Sequence, residues 1–209
     1  VTIPLTLAPR RAAVSARQAI TRSPATVVLA LTLLATTILL RHGVLPGDFL
    51  QDVSTNVTNL TQVPLRVFIA SALVLDGGHW IIYAVALALT LGWLERRIGS
   101  LRAVGIFASG HVLATILTEG AVWVGINAGT LPDADRDQID VGVSYGLWTA
   151  IAAAAVLLPR RWRLVLIPVA LVGVVLPAVT VHDMTSIGHL LSLSIGLAWW
   201  PYIQRRAHN

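Results

Sequence analysis

The chain of 209 residues has no cysteine, no lysine and a single methionine, and only 12% of its residues are charged. Without cysteine there is neither a disulfide framework nor a thiolate metal site, and the redox compartment leaves no trace in the sequence. Without lysine every fixed cation is an arginine. Together with the abundance of alanine and valine, this points by association to a GC-rich bacterial genome. The shortage of charge excludes most soluble folds, because 56% hydrophobic residues and a mean hydropathy of +0.75 leave too little polar surface to cover a domain of this length. The composition therefore predicts an all-α integral membrane protein whose partner everywhere is the lipid bilayer.

A formal charge of +5 and a pI near 11.0 would suit a nucleic-acid binder. The arginines, however, stand in short clusters beside apolar runs, where they report membrane topology. No nucleic-acid partner is expected. A spanning helix needs about 20 apolar residues, and six stretches qualify: roughly 24–40, 78–94, 103–126, 141–158, 164–181 and 184–203. A seventh run, Val67 to Leu75, is closed off by Arg66 and Asp76, too short to cross, and expected in the interface or against the bundle.

Basic residues stay on the cytoplasmic side. With the N-terminus inside, the inner segments hold Arg10, Arg11, Arg17, Arg22, Arg96, Arg97, Arg102, Arg160, Arg161, Arg163, Arg205 and Arg206, and the outer loops only Arg41, Arg66 and Arg136. The outer loops instead collect aspartates, including Asp76, Asp140 and Asp183. Both termini are thus expected in the cytoplasm of a bacterial inner membrane. Residues 1–23 form a cytoplasmic lead-in, 24–204 the membrane domain and 205–209 a cytoplasmic tail. No A-x-A site follows the first apolar run, which is expected to be a permanent span. The first outer loop, about His42 to Gly78, is long enough to suggest a function of its own, and its Asn56 and Asn59 each open an N-x-T triplet of the kind that also arises by chance.

Topology gathers the chemistry at one end. At about 1.5 Å per helical residue, Ser144 lies roughly 6 Å beyond Asp140 and His189 roughly 9 Å beyond Asp183, with His79 nearer the mouth. All three fall in the outer leaflet. A serine hydroxyl becomes a nucleophile when a neighbouring neutral imidazole takes its proton, and the carbonyl it attacks needs donors for the developing oxyanion. The first amides of the fourth span and His79 are the candidate donors. Gly188, Ser192 and Gly196 put small residues at every fourth position beside His189, the spacing that lets helix backbones approach closely in lipid. A second small ridge, Gly142, Gly146, Ala150 and Ala154, makes the fourth span central. The Gly142 to Gly146 segment also fits G-x-S-x-G, but that elbow needs a preceding strand and an α/β sheet, which the pattern excludes. For Ser144 taken alone, a hydroxyl bonded back to its own helix is the plainer reading.

These positions resemble the rhomboid family of intramembrane serine proteases, over most of the chain from the second span onward. Gly142-Val143-Ser144 opens the fourth span, His189 lies on the sixth with Gly196 after it, His79 opens the second, and Glu95-Arg96-Arg97-Ile98-Gly99 closes it. The resemblance implies a six-transmembrane-helix bundle, Ser144 as nucleophile, His189 as its base, and an oxyanion role for His79. Three positions depart from the family pattern. Tyr83 stands where the family has its oxyanion asparagine, Tyr145 where it has glycine after the serine, and Ser192 where it has the first glycine after the histidine. Loss of one oxyanion donor costs about 100 to 1,000-fold in rate.

Two functions follow, and a weaker third. One is an intramembrane serine endopeptidase cleaving membrane-anchored proteins near the outer leaflet, with substrate contacts at His79, Tyr83, Gly142 and Tyr145. The other is an inactive rhomboid-like scaffold, or subunit of a larger membrane complex, that binds transmembrane segments; side chains filling the space beside Ser144 favour it. The third is proton or ion transport through His111 and Glu119, against which stands a structural polar contact between helices. Glu95 reads as a clamp at the inner end. No cofactor is expected, and His42, His182 and His208 have no metal-ligand spacing.

Overall fold

A computed structural model describes residues 21–77, 79–181 and 183–207. The proposed lead-in through Ile20, Gly78, His182 and His208 lie outside the described residues. Among those described the chain is all helical, without a strand. Helix α1 runs Pro24–Arg41; three short helices, α2 Phe49–Val53, α3 Val57–Gln62 and α4 Pro64–Ser71, fold the first long loop; α5 Trp80–Leu89 and α6 Leu91–Ile98 follow. Then come α7 Ser100–Asn127, a 3-10 turn at Asp133–Asp137, α8 Ser144–Val156, α9 Arg160–Thr180, α10 Met184–Ala198 and α11 Trp200–Ala207.

Three of these, α1, α7 and α9, are long and apolar enough to cross a membrane. The remaining apolar stretches are shorter as helices than as sequence. The 78–94 stretch is interrupted at Thr90, whose hydroxyl donates to Ala86 O at 2.6 Å, competing locally with the backbone ladder. The 184–203 stretch breaks at Trp199. The 141–158 stretch loses its first residues because Gly142 sits at φ +140°, a conformation that favours glycine, with its N–H donated sideways to Ser71 O at 3.0 Å.

The core lies on α8. Its small side chains allow neighbours to approach within backbone contact. A Cβ at Gly146 would overlap the Phe107 ring of α7, one at Gly110 of α7 would overlap Thr149, and one at Gly196 of α10 would overlap the Thr149 carbonyl and Ala152. The Thr149 hydroxyl reinforces the α8–α10 seam, donating to Ser192 O at 2.8 Å and to Tyr145 O at 3.1 Å. The small ridge read from sequence on the sixth stretch thus meets the fourth directly.

At the opposite end of the molecule from Ser144, Glu95 closes α1 onto α6. Its buried carboxylate accepts from Ala25 N at 2.9 Å, Thr26 N at 3.0 Å and the Thr26 hydroxyl at 2.7 Å, satisfying donors of the first turn of α1. The apolar run after Arg66 packs against the bundle as α4, with Val67 fully buried. His111 joins it to α7: its Nε2 lies 3.1 Å from both Ser71 Oγ and Phe68 O. That is a polar contact between α4 and α7. Glu119, two turns further along α7, faces the α3 N-terminus through the Val57 backbone. Both threonine-type sequons are structural as well. Asn56 is buried and caps α3, and the Asn59 amide donates to Gln51 O and Ser54 O, so neither side chain is free for a glycan.

Candidate functional site

Ser144 is the first residue of α8, so its position is set by how the loop before it is held. Asp140 anchors that loop: its carbonyl accepts from Thr55 N at 2.9 Å and the Thr55 hydroxyl at 2.9 Å, and its own N–H donates to Ser54 Oγ at 2.8 Å. The Asp140 carboxylate also accepts from Thr55 Oγ1 at 3.1 Å. Burial pushes the Asp140 carboxyl above its ordinary value, the Thr55 bond offsetting part of that cost. With the Gly142 to Ser71 bond, the long first loop becomes the frame in which α8 starts.

His189 is placed by α10, whose start is fixed by Asp183. The Asp183 carboxylate accepts from Ser186 N at 2.6 Å, and this bond holds its carboxyl below the usual aspartate range. His189 sits little more than a turn further on. Its Nε2 lies 3.0 Å from Ser144 Oγ, across the α8–α10 seam. With the proton on Nδ1, Nε2 accepts the serine hydroxyl, the geometry a general base requires. The hydroxyl is thereby bonded to a partner helix and not to its own. Both residues are half-buried.

The imidazole is fixed by two aromatic rings of α8. Tyr145 meets it edge-on at 5.6 Å between centroids and Trp148 lies tilted at 5.9 Å. Tyr145 is 4% exposed, and its ring occupies the space that a Cβ at Gly188 would need. The bulk added after the serine is accommodated by the glycine before the histidine. Trp148 was missed in the sequence, although its place four residues after Ser144 puts it on the same helical face. Ser54 and Thr55 were missed too. Their role depends on a contact across 85 positions that no local pattern encodes.

The first-turn amides of Ser144, Tyr145 and Gly146 have no carbonyl one turn behind them, and the ladder begins with Leu147 N–H to Val143 O at 2.9 Å. These N–H groups and the positive end of α8 lie at the Ser144 end of the helix. His79 precedes α5 as an exposed ring near Gly77, and Tyr83 packs partly buried against the core. Among the described residues neither forms a hydrogen bond with Ser144 or His189. A polar cavity of about 310 Å³ borders Tyr145 and is walled by Asp140, Gln138, Asp183 and Thr185. It opens beside the starts of both α8 and α10.

The family described as rhomboid-like protein matches residues 18–209. The chain belongs to the rhomboid family. Searches of curated proteins and of solved structures returned no match. Membership, with the apolar helices, makes this rhomboid-like chain an integral membrane protein whose setting is that of transmembrane substrates or partners. The matched segment includes both Ser144 and His189, together with the Glu95 clamp.

Proposed function

We propose that this rhomboid-like protein is an intramembrane serine endopeptidase that cleaves membrane-anchored proteins near the outer leaflet of a bacterial plasma membrane. The observation that carries the reading is the 3.0 Å contact between Ser144 Oγ and His189 Nε2. On this reading the chain crosses the membrane six times, through α1, α5–α6, α7, α8, α9 and α10–α11, with both termini cytoplasmic. The length of α8 supports a site within the membrane. Thirteen residues span about 20 Å, some 10 Å less than the hydrocarbon core. A crossing helix that short begins below the outer surface, and the loop held by Ser54 and Thr55 fills the space above it.

In the reaction His189 Nε2 takes the Ser144 proton as Oγ attacks the scissile carbonyl. The oxyanion that forms is met by first-turn amides of α8. His189 returns the proton to the departing amine, leaving an acyl ester on Ser144. Water entering from the polar cavity gives a proton to His189 as it attacks the ester, and collapse of that second intermediate restores the serine.

A second reading, an inactive scaffold that binds transmembrane segments, draws support from His79 and Tyr83. Tyr83, which stands where the family pattern has its oxyanion asparagine, packs against the core, and the His79 ring is exposed. Labelling of the purified protein with a fluorophosphonate separates the two. Protease chemistry predicts labelling of the wild type that vanishes in Ser144→Ala and drops at least about 100-fold in His189→Ala. A folded wild type that resists labelling over hours would give the function to the scaffold.

A further inference from the structure

At the end of the bundle away from Ser144, two cavities share a wall. One, of about 510 Å³, lies among Trp93, Arg97, Pro159, Arg163 and Gln204. The other, of about 580 Å³, is an apolar groove between the α5–α6 pair and α9, floored by Ile151, Ala154 and Ala155 of α8. Trp93 and Leu158 line both. The groove and the basic pocket are therefore adjacent, with these two side chains between them.

The cations of that pocket have no counterion among the described residues. Among the described residues the one ion pair is Arg136 with Asp133, far along the chain in another loop. The nearest acid on these helices, Glu95, is already engaged by Ala25 and Thr26. Arg97 is stacked over the Trp93 ring at 5.4 Å and Arg163 over Trp200 at 4.8 Å, which fixes both guanidiniums without neutralising them. Arg163 gives one N–H to Leu158 O at 3.0 Å, while its Nε and the Trp93 indole nitrogen are buried without a partner. Each is a donor whose cost of burial is uncompensated.

The dimensions of the groove bear on its occupant. It runs from Leu158, beyond the end of α8, along the helix to Trp148; the helical part, Ala155 to Trp148, rises about 10 Å, within the roughly 15 Å depth of one leaflet. A site with fixed positive charge and, beside it, an apolar channel no deeper than one leaflet matches an anionic lipid in both charge and chain length. We propose that this site binds one anionic phospholipid, its phosphate between Arg97 and Arg163 and an acyl chain in the groove between α6 and α9. The chain end then reaches Trp148, which packs on His189. The lipid would support the Trp148 ring that packs on the imidazole.

The test uses the delipidated full chain in detergent, followed by native mass spectrometry as dioleoyl phosphatidylglycerol, dioleoyl phosphatidylcholine or inorganic phosphate is added. The glycerol lipid should be retained at about tenfold lower concentration than the choline lipid, and millimolar inorganic phosphate should not displace it. Arg97→Gln with Arg163→Gln should reduce the preference to within about twofold. Arg205→Gln with Arg206→Gln, which removes equal charge from the same end, should leave it intact. Ala170→Trp should weaken both lipids by filling the groove. Because Arg163 also holds the Leu158 carbonyl, Arg97→Gln alone serves if the pair does not fold; its guanidinium is exposed, and about a threefold loss is expected. Equal binding of the two lipids, displacement by inorganic phosphate, or equal sensitivity to the tail arginines would overturn the proposal. None of these measurements depends on proteolysis.

Discussion

Helices α8 and α9 are neighbours in sequence, separated by Leu157, Leu158 and Pro159, and both lack any acid. Their surroundings are opposite. Ten of the thirteen α8 residues are buried, whereas on α9 Val174 is the one buried position, and residues such as Val169, Val172 and Val179 stand about 60% exposed. Hydropathy does not separate them; side-chain size does. Helix α8 carries Gly146 and the run Ala152 to Ala155, so other backbones reach it, while α9 carries branched side chains and two internal prolines, Pro168 and Pro177. Each proline removes one helical hydrogen bond. In a bilayer, where lipid is as apolar as leucine, close packing favours the small helix for the interior and leaves the large one to the lipid.

The sharpest test is a matched pair of glycines. Gly196→Val, on the seam with α8, drives a side chain into the Thr149 carbonyl and should destabilise the protein by about 3 kcal/mol or abolish folding. Gly173→Val on α9 places its Cβ 3.6 Å from the Trp148 ring, an ordinary contact, and should change stability by less than about 0.5 kcal/mol. Thermal unfolding in detergent, followed by size-exclusion recovery, reads both. Equal losses would erase the distinction between the two helices.

Smaller effects refine it. Thr149→Val removes the bond to Ser192 O at nearly constant volume and should cost about 1 kcal/mol in the same assay. The entry to α8 should also give stability a pH dependence. Because burial raises the Asp140 carboxyl, the folded state binds its proton more tightly than the unfolded chain, so this contribution is full below the usual aspartate range and declines as pH rises through the folded value. Asp140→Asn should flatten that decline while retaining an acceptor for Thr55, and unfolding midpoints measured between pH 4 and 7 would show it. The smallest change is expected for Val172→Ala on the exposed face of α9, within about 0.5 kcal/mol in detergent.

Much of this was legible beforehand because it rests on short-range rules. The apolar runs and the small spacing at Gly188, Ser192 and Gly196 follow from local composition and helical periodicity, whereas the partners of the Glu95 clamp, Ala25 and Thr26, lie 70 and 69 positions away. Helix lengths were not legible, since the breaks at Thr90, Gly142 and Trp199 arise where a hydrogen bond or a turn leaves an apolar run intact as sequence. At the candidate site, Ser144 and His189 were readable from motif and topology. Their surroundings were not: Tyr145 is tolerated because Gly188 vacates the space its ring occupies, and Ser54 with Thr55 holds the loop before the serine through bonds that link distant parts of the chain.

Sequence alone determined that this protein lives in a membrane, because apolar surface on that scale has no other stable solvent, and it determined the order and face of its polar residues, because helical periodicity is local. Only the tertiary structure decided which apolar helix became the core, and whether the serine met the histidine, because both depend on the shapes of side chains brought together from far apart in the chain.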